Sequence, residues 1–297
     1  MDWCHNMDEQ MNIQWYPGHM TKARRMMEES LKLVDGVCEI LDARIPASSR
    51  NPDLDEIVGG KPRLVVLNRI DQADPAMVRR WAAWFKSQGM AVLETDCKSR
   101  KGVGGFVPAI RAMLSEKLQR YQEKGQVGRP LKIMVAGIPN VGKSTFINQI
   151  AGRKSAKAEN RPGVTRGKQW ITVDQGLLLL DTPGILWPKF EDREVGMRLA
   201  YTGAVKDDIM DLETLSSGLL ALLWRQYPEA VASRYKIEAE PDAQGYALLE
   251  AVGRKRGFLI SGGEVDTERA ARMVLEEYRS GKLGRFTLDL PPQEEKV

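Results

Sequence analysis

The chain has 297 residues, 42% of them apolar, which suffices for one or two domains with a sizeable core. Its net charge of +4 only mildly favours an anionic partner, so the placement of charge must carry any such argument. No run approaches the roughly 18 apolar residues of a membrane span, nothing at the start resembles a secretory signal, and Cys4, Cys38 and Cys97 suit free thiols better than a disulfide framework or a zinc site.

Residues 1–10 read as a flexible extension or a start-site artefact. Trp15-Tyr16-Pro17-Gly18-His19-Met20 follows, with Lys22, Arg24 and Arg25 behind it. Val37 to Leu41 is an apolar strand that leads into Asp42-Ala43-Arg44-Ile45-Pro46. A second strand, Arg63 to Leu67, ends in Asn68-Arg69-Ile70-Asp71, close to the N-K-x-D signature of GTPases. There the Asp71 carboxylate can accept both the N1 and N2 hydrogens of guanine, a pair that adenine does not offer. The competing reading is a capped turn at a strand end. Val92 to Asp96 is a third strand, after which Asp96-Cys97-Lys98 occupies the position of the S-A-K element, whose backbone amide meets guanine O6. Gln119 to Pro130 is a polar link.

The strand Leu131 to Ala136 runs into Gly137-Ile138-Pro139-Asn140-Val141-Gly142-Lys143-Ser144, a match to the phosphate loop G-x-x-x-x-G-K-[ST], with a helix over Ser144 to Ala151 behind it. A loop of this kind wraps backbone amides around a polyphosphate, with Lys143 reaching the β and γ phosphates and Ser144 holding Mg²⁺. A glycine-rich turn without a ligand is the bland alternative. Asn140, Val141, Gly142, Lys143, Ser144 and Thr145 are the phosphate-side candidates. Arg161 to Thr165 then supplies a threonine that can reach Mg²⁺ and the γ phosphate. Strands at Gln169 to Val173 and Leu177 to Leu180 lead into Asp181-Thr182-Pro183-Gly184, in which Asp181 would hold the Mg²⁺ water shell and the Gly184 amide would sense the γ phosphate.

All five parts of a Ras-like GTPase are thus present in a rotated order: base, base, phosphate loop, first switch, second switch. Circular permutation preserves a fold whose old termini lie close together. The expected class is α/β: a circularly permuted Ras-like P-loop GTPase domain over 11–188 with its ligand at the carboxyl ends of the strands, then a C-terminal helical domain over 189–297. Helix-like spacing at Glu194 to Asp207, Asp211 to Arg225, Pro228 to Tyr235, Ala243 to Arg254 and Asp266 to Ser280 supports the latter. In this order the second switch leads covalently into the helical region.

The motifs at Trp15 to Met20 and Asp42 to Pro46, together with the permuted set, resemble the bacterial ribosome biogenesis GTPase A family, which is similar to mitochondrial and nucleolar large-subunit assembly GTPases. The resemblance runs from about Met11 to about Leu290. It implies a cytoplasmic GTP hydrolase, monomeric off the ribosome, that uses GTP/GDP and Mg²⁺ in late maturation of the large ribosomal subunit and contacts rRNA. Two departures stand out. The usual lysine of N-K-x-D is Arg69, whose aliphatic stem can still cover the base, and S-A-K is replaced at two positions, leaving Lys98.

Ras-like enzymes place a water-orienting glutamine just beyond Gly184, where this chain has Ile185; an apolar side chain cannot do that work. Only His5 and His19 are available as histidines. The family resemblance implicates His19 in hydrolysis, as a water-orienting group or general base; an rRNA contact or a packing role is the alternative. Asn140 resembles the asparagine that coordinates K⁺ in some GTPases without an arginine finger, against a plain polar loop residue. Residues 152–168 carry six basic residues (Arg153, Lys154, Lys157, Arg161, Arg166, Lys168) against Glu159, and Arg254-Lys255-Arg256 forms another cluster. Each is a solvated face or an rRNA contact, and coincidence with the first switch tips that loop toward rRNA. The reading from a different class is a non-hydrolysing RNA-binding scaffold with GTP as a conformational ligand only. A tRNA-modifying or small-subunit GTPase fits the N-terminal motif less well.

Overall fold

Runs of leucine, isoleucine and valine at residues 36–42, 63–68, 131–136 and 177–181 are too apolar to leave a face in water, and they form the buried centre of one sheet. The computed structural model describes residues 17–126, 128–155, 169–174, 176–182, 192–205, 211–238 and 240–292, with side chains from Arg24 onward except at 153–155. In chain order the first compact unit contains α1 (Pro17–Leu31), β1 (Gly36–Asp42), α2 (Asp53–Val58), β2 (Arg63–Asn68), α3 (Pro75–Ser87), β3 (Ala91–Thr95), α4 (Phe106–Met113), α5 (Ser115–Glu123), β4 (Leu131–Ala136), α6 (Lys143–Ser155), β5 (Gln169–Asp174) and β6 (Leu177–Asp181).

The six strands lie in the order β3-β2-β1-β4-β6-β5, all parallel to their neighbours except β5, which is antiparallel to β6. The late strand β4 therefore pairs with the first strand β1, with Gly36 opposite Ile133 and Glu39 opposite Ala136. This is the fold of a circularly permuted GTPase domain: β4, β5 and β6 take the places of the first three strands, and β1, β2 and β3 those of the last three. On one face α3 covers Leu41, Val65 and Leu67 with Val78, Trp81 and Phe85. Met27, Leu31, Leu54 and Val58 cover Val37, Met134 and Leu180 beside it.

Charged side chains are buried in this sheet, Glu39 the deepest of them. Glu39, in the middle of β1, lies 3.3 Å from the Arg63 guanidinium, which also reaches Asp55 at 2.6 Å and the Leu54 carbonyl at 2.9 Å. Burial pushes the Glu39 carboxyl above the usual carboxylate range, with Arg63 opposing the shift. Arg63→Ala would leave the carboxylate without that partner and is expected to destabilise the protein by about 3–5 kcal/mol, measured by urea denaturation at neutral pH.

The second unit spans 192–288 among the described residues and contains α7 (Arg193–Tyr201), α8 (Leu212–Gln226), α9 (Pro228–Tyr235), α10 (Gly245–Lys255) and α11 (Thr267–Ser280). Leu215, Leu219 and Leu223 of α8 are fully buried, as are Leu249 and Val252 of α10 and Val274 of α11. Asp192, Asp211 and Asp266 cap three of these helices by accepting bonds from Glu194, Thr214 and Arg269 amides.

Three expectations need correction. The helix expected over Glu194 to Asp207 ends at Tyr201, because Gly203 turns left-handed (φ 77°) and the Ala204 amide reaches back to Leu199 in a Schellman closure, while Arg279 caps the Ala200 and Tyr201 carbonyls. The link expected over Gln119 to Pro130 is helical as far as Glu123. The helical domain expected over 189–297 stops at Leu288: residues from Asp289 group with the first unit, where Asp289 is hydrogen-bonded to Ser48.

Candidate functional site

Parallel pairing brings the carboxyl ends of β1, β2 and β3 together, with Asp42 opposite Asn68 and Asn68 opposite Thr95. Asn68 is the junction. Its side-chain nitrogen donates to the Val141 carbonyl at 2.9 Å, while its oxygen accepts from the Thr95 hydroxyl at 3.2 Å and the Cys97 amide at 3.3 Å. One buried amide thus joins the candidate base-reading loop, the candidate O6 loop and the phosphate loop. The Ile70 amide bonds the Thr95 carbonyl at 3.3 Å, which holds the first two loops side by side. Asp71 and Lys98 are exposed at this end of the sheet, where a ligand can reach them. Asp96 shapes the second loop by accepting the Lys98 and Ser99 amides at 2.8 and 3.3 Å. Cys97 is buried, and that burial pushes its thiol up to about 11, so it is neutral at physiological pH.

The phosphate loop hangs between β4 and α6, anchored by buried Ile138 and Val141. Gly137 and Gly142 are required here for different reasons. A Cβ on Gly137 would sit 2.9 Å from the Ile40 carbonyl, whereas one on Gly142, whose φ is +94°, would lie 2.3 Å from the Asn68 side-chain nitrogen. Lys143 pairs with the Asp181 carboxylate at the end of β6, and the Thr182 hydroxyl donates to the Val135 carbonyl at 2.7 Å, tying that strand end to β4. Asn140, Ser144 and Thr145 are exposed, and Asn140 has a left-handed backbone (φ 60°). Hydroxyl and carboxylate oxygens at Ser144 and Asp181 are the hard donors that Mg²⁺ takes when phosphates and water complete its shell.

Arg69 occupies the lysine position without copying its chemistry. Its guanidinium donates to the Asn140 carbonyl at 2.9 Å and lies 3.6 Å from the Asp42 carboxylate. Asp42 also accepts Arg44 through Nε, Nη2 and the backbone amide, at 2.9, 2.7 and 3.0 Å, and its own amide donates to Ser49 Oγ at 3.0 Å. Burial alone would raise the Asp42 carboxyl; the Arg44 and Arg69 guanidinium groups outweigh it and hold it below the usual range. The bracing role of Asp42, Arg44 and Ser49 was not foreseen, although an Asp-x-Arg step at a strand end is a visible signal for it. Among the site candidates, Thr165 and Gly184 lie outside the described residues, as does Ile185. The same holds for the His19 side chain, whose backbone is in α1.

Residues 132–216 match the family described as 50S ribosome-binding GTPase. A protein of Priestia megaterium called Ribosome biogenesis GTPase A is 48% identical over 287 residues, covering 96% of this chain and 99% of its own. The chain belongs to the ribosome biogenesis GTPase A family. Mouse Mitochondrial ribosome-associated GTPase 1 is 34% identical, with 93% of this chain and 89% of its own covered. Among solved structures, GNP-bound YlqF from T. maritima superposes with a TM-score of 0.62 at 27% identity, covering 91% of this chain and 99% of that one. A GDP-bound YlqF structure gives 0.63 at 26% identity, over 90% and 99%. A ribosome biogenesis GTPase A family member is a guanine-nucleotide-binding GTPase.

Proposed function

We propose that this protein hydrolyses GTP in an Mg²⁺-dependent, K⁺-assisted reaction during late assembly of the large ribosomal subunit, binding rRNA when GTP is bound. The observation that carries the reading is the three-way junction at Asn68, which ties the two candidate base loops to the phosphate loop at one end of the sheet. Asp71 takes the guanine N1 and N2 hydrogens, the 97–98 backbone faces O6, and Arg69 and Ile70 frame the base. Asn140 to Thr145 cradle the phosphates. Lys143 exchanges its Asp181 partner for the β and γ phosphates, which frees Asp181 for the metal's water shell beside Ser144 and Thr165. Ser144, Thr165 and Asp181 would hold Mg²⁺ and Asn140 would hold K⁺, ions that would neutralise charge on the phosphates.

In hydrolysis a water oxygen bonds to the γ phosphorus, the bond to the bridging oxygen breaks, and GDP leaves. His19 orients the water or takes its proton. The Gly184 amide registers the γ phosphate, and the chain beyond it enters the helical unit, whose basic residues, with those of 152–168, meet rRNA. Proteins of this kind depend on loop ordering for rate, so turnover is slow alone and rises on the assembling subunit.

Phosphate release with and without large subunits tests this against the scaffold reading, which predicts no stimulated turnover. In the same assay His19→Ala is expected to keep GTP affinity within a few fold and lose at least tenfold in stimulated rate, since acid-base assistance contributes about 10² to 10⁴. Normal turnover by the variant at saturating subunits would make His19 a structural or RNA-contacting residue and assign catalysis to the ribosome.

A further inference from the structure

Asp289 is a buried carboxylate 241 positions from the loop it holds. Its two oxygens accept the Ser48 amide at 2.7 Å and the Ser48 hydroxyl at 2.9 Å, and its main-chain carbonyl accepts the Trp81 indole N–H at 3.1 Å. All three residues are about 1% exposed, while the next side chain, Leu290, is 66% exposed. Leu288 (1% exposed), before Asp289, and Pro291, beyond Leu290, are buried too, and a carboxyl group among them is worth burying only if its hydrogen bonds fix a geometry.

Both partners flank the base loop. Ser48 lies in the loop after β1, where Ser49 accepts the Asp42 amide, the Ala43 amide donates to the Asn68 carbonyl at 2.9 Å, and Asp42 faces Arg69. Arg69 and Asn68 in turn hold the Asn140 and Val141 carbonyls of the phosphate loop. Trp81 lies on α3, the helix that begins just after Asp71 and is capped by Asp74; it shares a buried cluster with Leu67, just before the base-reading segment, and Ile70, within it. Asp289 therefore pins the loop before the base-reading segment and the helix after it through one residue.

We propose that Asp289 is a positioning residue for guanine nucleotide binding, clamping the loop at Ser48 and the helix at Trp81 so that Asp71 and Arg69 keep their places. The inference rests on the guanine site proposed above. Since the contacts lead to the base loop and to the carbonyls of Asn140 and Val141, loss of the clamp speeds GDP and GTP release alike. Continuity of the chain makes the residue after the helical unit a second covalent route to the nucleotide, separate from the one that leaves at Gly184.

Stopped-flow release of fluorescent GDP and of a fluorescent non-hydrolysable GTP analogue tests this on the full chain. Asp289→Ala is expected to raise both release rates at least fivefold, with their ratio within twofold of the unsubstituted protein. Ser48→Ala, which keeps the bond from its amide, should give a smaller increase, and the double variant should match Asp289→Ala rather than the product of the two. A thermal melt fixes an assay temperature at which each variant is folded; if Asp289→Ala does not fold, Ser48→Ala carries the test. Unchanged release from folded variants, or acceleration of only one nucleotide, overturns the clamp. Failure of the unsubstituted protein to bind either probe overturns the guanine site instead.

Discussion

Gly142→Ala is expected to weaken GTP and GDP binding about 100-fold. The residue sits at φ +94°, where a side chain is strained, and its Cβ would be 2.3 Å from the Asn68 side-chain nitrogen. Left-handed backbone costs a non-glycine residue about 1–2 kcal/mol. Displacing Asn68 leaves a buried donor and the Val141 carbonyl unpaired, worth about 1–3 kcal/mol more. The loop can avoid both only by abandoning the conformation that holds the phosphates. Gly125→Ala is the control: it also has positive φ (66°) but nothing within 4 Å, so it should carry the same backbone cost in stability and leave affinity unchanged. Equilibrium titration of both variants with fluorescent GDP makes the comparison, and equal affinities would mean that the phosphate loop does not bind nucleotide.

Asp71→Asn should reverse the base preference. The carboxylate accepts two hydrogens from guanine; an amide there loses those charge-assisted bonds, each worth roughly 1.5–3 kcal/mol, and gains a donor suited to the C2 oxygen of xanthine. GTP affinity should fall about 100-fold or more by that arithmetic, and xanthosine triphosphate should become the better ligand. Because Asp71 is exposed, the fold should be unaffected. Unchanged GTP affinity would refute the assignment of the base site.

Much of this architecture was legible because its signals are local. Four of the strands are mostly apolar runs, β1 and β4 each interrupted by one charge (Glu39 and Lys132), and the strands at Arg63 to Leu67 and Leu131 to Ala136 begin where expected because a charged or proline-containing segment precedes each. The turn between β4 and α6 was legible for the same reason, since the glycines at 137 and 142 stand where the backbone needs them. What the sequence hid is non-local. Nothing near Ser48 announces that a carboxylate from residue 289 will accept its amide, and nothing near Asp289 distinguishes it from a solvated acid. Arg69 is a further case. Its identity was visible, yet its two partners, Asp42 and the Asn140 carbonyl, depend on three strand ends meeting. The early end of α7 was missed because Arg279, 78 and 79 positions away, supplies the cap that lets Gly203 close it.

The arginine in place of lysine also changes what a conservative replacement would do. Lysine at position 69 could not span Asp42 and Asn140 at once with a fixed fork, so the network that reaches back to Ser49 belongs to this chain's own solution.

On the function proposed above, a guanine nucleotide at the Asn68 junction decides whether the protein holds the large subunit. Sedimentation with purified large subunits, in GDP and in a non-hydrolysable GTP analogue, tests it most directly. The protein should pellet with subunits in the analogue and remain largely in the supernatant in GDP, and Gly142→Ala should remain there in both. Equal co-sedimentation in the two nucleotides, or none in either, would contradict the account.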